Sequence, residues 1–145
     1  GVPILTHTTH WGELALEQLD LLAEEGVPPE VVIDSHLGDR KGVEHMLPIA
    51  DRGAWINIDN LAFIEGYAPL QFRIDNIVEM CRRGFAERMM LSNDICELGQ
   101  LATYGGVGYD NVITNVIPRL REQGVSDADI HQMTVINPSK AFAFR

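Results

Sequence analysis

The chain is poor in basic residues, and it has no long apolar run. Lysine and arginine together number 11 against 21 aspartates and glutamates, which gives a net charge of −10 at pH 7. Surfaces that bind nucleic acid are basic, so we expect no nucleic-acid partner. No apolar stretch approaches the roughly 20 residues of a membrane-spanning helix, and we expect no membrane association.

Cysteine is also scarce, since Cys81 and Cys96 are the only two among 145 residues. A chain of this kind does not depend on a disulfide framework, and its cysteine usage suits a reducing compartment. We therefore expect a cytoplasmic protein. With 46% hydrophobic and 22% charged residues, the composition is that of a folded globular domain rather than a disordered or fibrous chain.

One unit recurs four times along the sequence: a short apolar run, polar residues at its end, an amphipathic helix and a glycine. This alternation predicts an α/β protein with a parallel sheet. A complete (β/α)8 barrel needs about 250 residues, so four units predict half of a TIM barrel, as a single unit over residues 1–145. The predicted strands cover approximately residues 2–6, 31–35, 54–58 and 88–92, and the predicted helices contain residues 11–25, 43–50, 74–81 and 113–120.

Two features refine the C-terminal helices. Pro118 lies inside the apolar pattern of Ile113, Ile117 and Leu120, which predicts a kink or a later start because proline interrupts a helix. Further along, a serine three residues before an aspartate (126 and 129) resembles a helix cap. An asparagine before a proline (137 and 138) predicts the start of a last short helix.

Metal-binding side chains follow three of the four predicted strands. His7 ends the first strand, His36 follows the second and Asp94 follows the fourth, whereas the third leads into Asp59 and Asn60. Parallel strands of a barrel point their carboxyl ends at one mouth, where barrel enzymes carry their chemistry. Imidazole and carboxylate suit zinc and similar divalent ions. The pattern predicts a hydrolase site in which His7, His36 and Asp94 are metal ligands.

Several motifs occur in a specific order along the chain. They are GVPILTHT (1–8), SHLGD (35–39), MLSND (90–94), IPRLR (117–121) and the Asn-Pro pair at 137–138. Together they resemble the phosphotriesterase family of the amidohydrolase superfamily, over the second half of its proteins. The glycine-rich loop YGGVGY (104–109) is most similar to the phosphotriesterase-related and lactonase-like branches.

The resemblance implies a fold and an activity. The fold is the C-terminal half, strands five to eight, of a TIM (β/α)8 barrel. The activity is metal-dependent hydrolysis of a small-molecule substrate, a lactone, an ester or a phosphotriester-like compound, by a metal-activated hydroxide. The implied cofactor is a divalent metal, with zinc the expected ion and two ions per complete barrel.

The resemblance also implies roles for individual residues. His7 and His36 resemble the strand-five and strand-six ligands of the more exposed metal, and Asp94 resembles the strand-eight aspartate that binds the buried metal and acts as the catalytic base. Asp39 resembles an acid behind the ligands that relays a proton outward. Asp59 and Asn60 are expected either behind the ligands or facing the substrate.

Two parts of the family's ligand set do not occur in this sequence. The family has a His-x-His pair on the first strand and a carboxylated lysine on the fourth. No His-x-His occurs here, and Lys41 and Lys140 lie away from the predicted strand ends. We therefore expect this chain alone to be inactive or weakly active, and to need an N-terminal half of the barrel as its partner.

Two alternatives stay open at this point. The chain could be a non-catalytic half-barrel that forms a homodimer, because exposed strand edges favour association. It could also hold a single metal through the same three ligands and retain residual hydrolysis.

One departure from the family precedes His36. The family commonly has an apolar residue and a glycine where this chain has Asp34 and Ser35. Strand alternation places Asp34 on the same face as His36, and a buried acid needs a partner. Asp34 either orients the imidazole of His36 or shows that the usual barrel constraints are relaxed here.

Overall fold

The computed structural model describes residues 1–8, 14–62 and 68–143, and these ranges form an α/β protein with one parallel four-stranded sheet. The order of the strands in the sheet is their order along the chain. The strands are β1 (Ile4–His7), β2 (Val32–Ser35), β3 (Trp55–Ile58) and β4 (Met89–Leu91). All four predicted strands are present, and the predicted alternation is confirmed.

Helices and turns connect the strands. The α-helices are α1 (Ala15–Glu24), α2 (Leu47–Asp51), α3 (Leu70–Arg82), α4 (Ile117–Glu122), α5 (Asp127–His131) and α6 (Asn137–Ala141). The predicted start of the first helix at Trp11 lies outside the described residues. None of the helices in the described ranges has the length and apolar character that crossing a bilayer requires.

The register of the strands brings their carboxyl ends to one edge of the sheet. His7 of β1 pairs with Ser35 of β2, and Ile58 of β3 pairs with Leu91 of β4. Because the strands are parallel, the residues that follow them emerge on the same side. The candidate site residues of the sequence all lie at or just beyond these ends.

The two faces of the sheet pack into two separate hydrophobic clusters, because successive strand residues point to opposite faces. The larger cluster joins one face to the helices and contains Val32, Ile56, Ile58 and Met89 together with Ile74 and Ile77 of α3. The smaller cluster, on the opposite face, contains Ile33, Trp55, Met90 and Ala141. The C-terminal helix α6 therefore reaches the face that the other helices leave open.

Helix α3 shows the clearest agreement with its sequence pattern. The apolar residues Ile74, Ile77 and Val78 have the three- and four-residue spacing of one helix face, and they are buried, while Cys81 is half-buried. The helix follows Pro69, and Gly84 adopts a φ of +84° just beyond its end, a conformation that glycine adopts without a steric penalty. The predicted helix over 43–50 is helical only from Leu47, although the apolar residues Val43, Met46 and Ala50 of this segment are buried.

Two prolines are accommodated by π-helical turns rather than by kinks. The turn Val112–Val116 precedes Ile117–Pro118, and the turn Gln132–Ile136 precedes Asn137–Pro138. Proline cannot continue an α-helix because it lacks the N–H group and its ring crowds the carbonyl four residues earlier. A widened turn lets each proline occupy the first turn of a new α-helix. Ile113 is 69% exposed, so its predicted place in the apolar stripe is wrong.

Asp34 is buried on the helix-facing side of β2. Its side chain is fully shielded from solvent and accepts a hydrogen bond from the hydroxyl of Thr6, the residue opposite it on β1. His36 has a left-handed backbone, with φ of +64°, so the strand alternation does not extend to it. The partner of Asp34 is therefore Thr6, and the expectation that it shares a face with His36 is wrong.

The burial of Asp34 gives a prediction for stability. Desolvation raises the pKa of Asp34 from 3.8 to about 6. Between these two pH values, the Asp34 carboxyl is protonated in the folded protein and ionised in the unfolded chain. This preferential protonation of the folded state adds to the free energy of unfolding. The added stability is fully present below pH 3.8 and is lost as the pH rises through 6. Two pKa units correspond to about 3 kcal/mol.

The measurement is urea denaturation of the wild-type chain and of Asp34→Asn from pH 4 to pH 7. Asparagine does not titrate there and can still accept the Thr6 hydrogen bond. We expect the variant to gain about 3 kcal/mol relative to wild type over this range. A stability difference that stays constant with pH would contradict the prediction.

Candidate metal centre

Two histidines meet at the carboxyl ends of β1 and β2. The Nδ1 atom of His7 and the Nε2 atom of His36 are 2.7 Å apart. Their rings are arranged edge to face, with centroids 4.3 Å apart and planes at 77°. His7 is the last residue of β1, and His36 follows directly after β2. One nitrogen of each ring therefore points at the same small region of space.

Asp59, just beyond β3, fixes the imidazole of His36. Its Oδ1 atom accepts a hydrogen bond from the backbone N–H of His36 at 3.0 Å and lies 2.8 Å from the ring atom Nδ1. Its Oδ2 atom accepts a hydrogen bond from the amide of Asn57 at 3.1 Å. This network assigns the proton of the neutral His36 ring to Nδ1, because Asp59 accepts from it. The lone pair on Nε2 then faces His7.

The electrostatic surroundings of His36 are acidic. The hydrogen bond to Asp59 raises the pKa of His36, and the carboxylates of Asp94 and Asp39 act in the same direction. Burial raises the pKa of Asp59, and again Asp94 and Asp39 add to the effect. A cation placed beside the two histidines would be stabilised by this negative field.

Three strand ends share an uncommon backbone conformation. His36, Asn60 and Asp94 adopt φ values of +64°, +57° and +53°, and they are the non-glycine residues with positive φ in the described ranges. They follow β2, β3 and β4. This conformation costs on the order of 1 kcal/mol or more for a residue with a side chain. Such strain concentrates at functional sites, where the placement of a side chain outweighs its cost.

Hydrogen bonds from a buried asparagine hold the loop that carries Asp94. The side-chain amide of Asn111 donates to the backbone carbonyl of Leu61 at 2.9 Å and to the side-chain carbonyl of Asn93 at 3.0 Å. The amide of Asn93 donates to the carbonyl of Tyr109 at 2.8 Å. Asp94 is thereby tied to the segments that follow β3 and β4. The sequence pattern did not single out Asn111, since one asparagine at a helix start carries little information.

The structure does not assemble the three predicted ligands into one group. In residues 1–8, 14–62 and 68–143, no three His, Cys, Asp or Glu side chains are placed to hold one ion. His7 and His36 meet, but Asp94 lies beyond β4, at the opposite edge of the sheet from β1. Three strand spacings of about 4.8 Å separate these edges along the sheet. Asp94 instead lines an open cleft with Leu91 and Tyr109.

The histidine pair nevertheless fits a divalent ion. Two imidazole nitrogens on a tetrahedral zinc lie about 3.3 Å apart, given Zn–N distances of about 2.0 to 2.1 Å. The observed 2.7 Å would need to widen by only about 0.6 Å. A carboxylate on the far nitrogen of a metal-binding histidine is the usual supporting arrangement, and Asp59 has this position. The donor chemistry and the geometry of these two residues therefore suit a metal.

Asp39 and Asn60 lie behind His36. The amide of Asn60 donates to Oδ2 of Asp39 at 2.6 Å, and its nitrogen lies 3.2 Å from Nδ1 of His36. The other carboxylate oxygen of Asp39 is paired with the guanidinium of Arg73. An amide and a guanidinium do not exchange protons near neutral pH. These contacts fix Asp39 in place, and the proton relay that its resemblance implied stays a prediction.

The comparison with known proteins identifies the family. The model of the phosphotriesterase family matches residues 1–142. The chain belongs to the phosphotriesterase family. Its matched region includes all four strands and every candidate site residue discussed above.

Two curated relatives show what this chain is similar to. The phosphotriesterase homology protein of Escherichia coli is 37% identical over 142 residues, which cover 98% of this chain and 48% of the relative. Its crystal structure, with phosphate in the active site, superimposes with a TM-score of 0.92 over 97% of this chain and 48% of that chain. The aryldialkylphosphatase of Saccharolobus solfataricus is 29% identical over 153 residues, covering 98% of this chain and 48% of the relative.

A lactonase has a similar structure. The crystal structure of a lactonase from Listeria monocytogenes has a TM-score of 0.88 and 29% identity, covering 99% of this chain and 45% of that chain. This phosphotriesterase family chain therefore spans about half the length of the curated relatives that it matches. Its parallel four-stranded sheet corresponds to half of a TIM barrel.

Proposed function

We propose that this chain is the C-terminal half, strands five to eight, of a metal-dependent hydrolase barrel. In this proposal it completes its site together with an N-terminal half. The substrate is a small molecule with a lactone, ester or phosphotriester-like bond. The names of the relatives support this class, since they include a lactonase and an aryldialkylphosphatase.

One observation carries the proposal. Nδ1 of His7 and Nε2 of His36 face each other at 2.7 Å, at the carboxyl ends of neighbouring parallel strands, where barrel enzymes hold their catalytic groups. The imidazole of His36 is already fixed from behind by Asp59. A carboxylate on the far nitrogen is the usual support of a metal-binding histidine.

Each residue has a distinct task in the proposed reaction. His7 and His36 would hold one divalent ion, with zinc the expected one, and Asp94 would bind the second ion of the complete barrel. The ion would supply a Lewis acid that polarises the bond to be broken and acidifies water. Asp59 keeps the proton on Nδ1 of His36 and so keeps Nε2 available. Asp94 is half-buried and accepts a proton from water in the site, as a positioned carboxylate can.

The test is hydrolysis by the complete barrel before and after removal of metal. The probes are γ-butyrolactone, p-nitrophenyl acetate and diethyl p-nitrophenyl phosphate. We expect turnover of at least one probe, its loss after dialysis against a chelator, and its return with Zn²⁺. The 145-residue chain assayed alone should show little or no turnover. Hydrolysis that is indifferent to the chelator, or no hydrolysis of any probe, would contradict the proposed function.

A second candidate is a non-catalytic half-barrel that forms a homodimer. The observation that favours it is the exposure of apolar side chains beside both outer strands. Val2 and Leu5, at β1, are 66% and 63% exposed, and Tyr109 and Ile113, near β4, are also exposed. Light scattering combined with size-exclusion chromatography separates the two candidates. A stable dimer without bound metal supports this one, whereas a monomer that gains metal and activity with an N-terminal half supports the hydrolase.

A further inference from the structure

A buried arginine lies behind the histidine pair. The side chain of Arg73 is on α3 and is 0% exposed, between the apolar residues that pack α3 against the sheet. Its guanidinium pairs with Asp39, whose side chain is also buried. Replacing such an ion pair by apolar residues is often neutral or stabilising. Packing alone therefore does not explain a charged residue at this position.

Arg73 is connected to the candidate metal ligand by a short chain of contacts. It holds one carboxylate oxygen of Asp39, and the other oxygen accepts a hydrogen bond from Asn60 at 2.6 Å. The same amide nitrogen of Asn60 lies 3.2 Å from Nδ1 of His36. Oδ1 of Asp59 lies 2.8 Å from the same Nδ1 atom. Because Nδ1 gives its proton to Asp59, Asn60 makes a packing contact and not a hydrogen bond with it, and this contact limits the ring from a second direction.

The loop after β2 is packed closely against β3 and held by α3. A Cβ atom on Gly38 would lie 2.6 Å from Cγ2 of Ile58, so glycine is needed for the loop to lie this close to β3. One turn after Arg73 along α3, the amide of Asn76 donates to the carbonyls of Gly38 and Arg40 at 3.0 and 2.7 Å. Two polar residues on the buried face of α3 therefore clamp the segment that carries His36 and Asp39.

We propose that Arg73 is a positioning residue for the metal site. Through Asp39 and Asn60 it sets the orientation of the His36 imidazole and the left-handed backbone of Asn60. This inference rests on the proposed function for its effect on catalysis, but its structural part does not depend on a metal. Without the guanidinium, Asp39 is no longer held where it accepts from Asn60, and the amide of Asn60 is released from its place beside His36.

The experiment compares Arg73→Met, Arg73→Lys and Arg82→Met in the complete protein. Arg82 is an exposed arginine on the same helix and serves as the matched control. The measurements are the Zn²⁺ dissociation constant by chelator competition, kcat and KM on the hydrolysed probe, and a crystal structure of each variant. Outer partners of metal ligands typically change affinity or activity by about 10- to 100-fold.

For Arg73→Met we expect about tenfold weaker Zn²⁺ binding and a similar fall in kcat, at the lower end of that range. KM should change less than about twofold, because no substrate contact is lost. In its crystal structure the Asn60 amide should have left Asp39 and the His36 ring should have turned. Arg73→Lys should recover part of each property, since it keeps the charge but not the guanidinium fork. Arg82→Met should match wild type.

Arg73→Met leaves a buried, unpaired Asp39, so a double variant with Asp39→Asn guards against loss of folding. It removes the buried charge, and it should regain thermal stability while its Zn²⁺ affinity and kcat stay low. Wild-type affinity and kcat in both variants, with Asn60 and His36 unmoved, would overturn the proposal. If the wild-type protein binds no Zn²⁺ but Asn60 and His36 still move in Arg73→Met, the proposed function fails and the positioning role stands.

Discussion

Replacing Asp94 by asparagine should reduce turnover of the complete barrel by about 100-fold or more, the usual range for removal of a positioned general base. The carboxylate is the proposed proton acceptor, and its amide counterpart cannot accept a proton from water. Asparagine tolerates a φ of +53° better than most residues, so the loop should keep its shape. The loss should therefore appear in kcat rather than in folding. It is measured as kcat and KM on the hydrolysed probe, with thermal unfolding as the folding check.

The same substitution at Asp75 is the matched control. Asp75 lies on the exposed side of α3, where its carboxylate accepts a hydrogen bond from Gln71 at 2.7 Å. Asp75→Asn should leave kcat within about twofold of wild type, as surface changes usually do. If Asp94→Asn retained comparable turnover, Asp94 would have no role as the base.

Replacing His36 by asparagine should weaken Zn²⁺ binding by about 100-fold or more, because it removes one of two converging imidazole nitrogens. Asparagine again suits the left-handed backbone, here with φ of +64°. Its amide can also donate to Asp59, so the buried acid keeps a partner. The variant thus removes the ligand atom Nε2 while preserving the support behind it. The affinity is measured by competition with a chromogenic chelator.

His131→Asn provides the comparison for this experiment. His131 is an exposed residue at the end of α5, and its replacement should leave Zn²⁺ affinity unchanged. Equal affinity in His36→Asn and wild type would show that the histidine pair holds no metal. Equal losses in the two histidine variants would point to non-specific binding at the surface.

The strand ends were predictable because each follows a short sequence pattern, an apolar run with a polar residue at its end. A β-rich run that ends in His7 or leads into His36 indicates both a strand and a candidate ligand, and the structure has both residues at the carboxyl edge of the sheet. The helical period of Ile74, Ile77 and Val78 likewise predicted the buried face of α3. In each case the local pattern and the tertiary packing favour the same structure.

Other features depend on contacts between distant residues and were not predictable. Arg73 looks like a surface residue beside an apolar stripe, and its burial follows only from Asp39, 34 residues earlier. Ile113 follows the helical period but is exposed, because it lines the open cleft beside β4, and the period alone does not show what packs against it. Strand alternation predicts that Asp34 and His36 share a face, but the backbone becomes left-handed at His36, so the alternation ends before it.

The three-ligand centre was expected from convergence at a barrel mouth, and the four-stranded sheet shows why half of a barrel does not supply it. In the complete barrel that we propose, the outer strands of this half would each pair with a strand of the N-terminal half. In this chain β1 and β4 are those outer strands. His7 and His36 come from adjacent strands and meet within this half, whereas Asp94 would need ligands from the missing half to complete its site.

The most direct test is a crystal structure of the complete barrel grown with Zn²⁺, with diffraction recorded on both sides of the zinc absorption edge. The account predicts an anomalous peak bonded to Nδ1 of His7 and Nε2 of His36, with the carboxylate of Asp94 turned towards the same site. A map in which these two nitrogens still share a hydrogen bond, with no zinc peak between them, would contradict it.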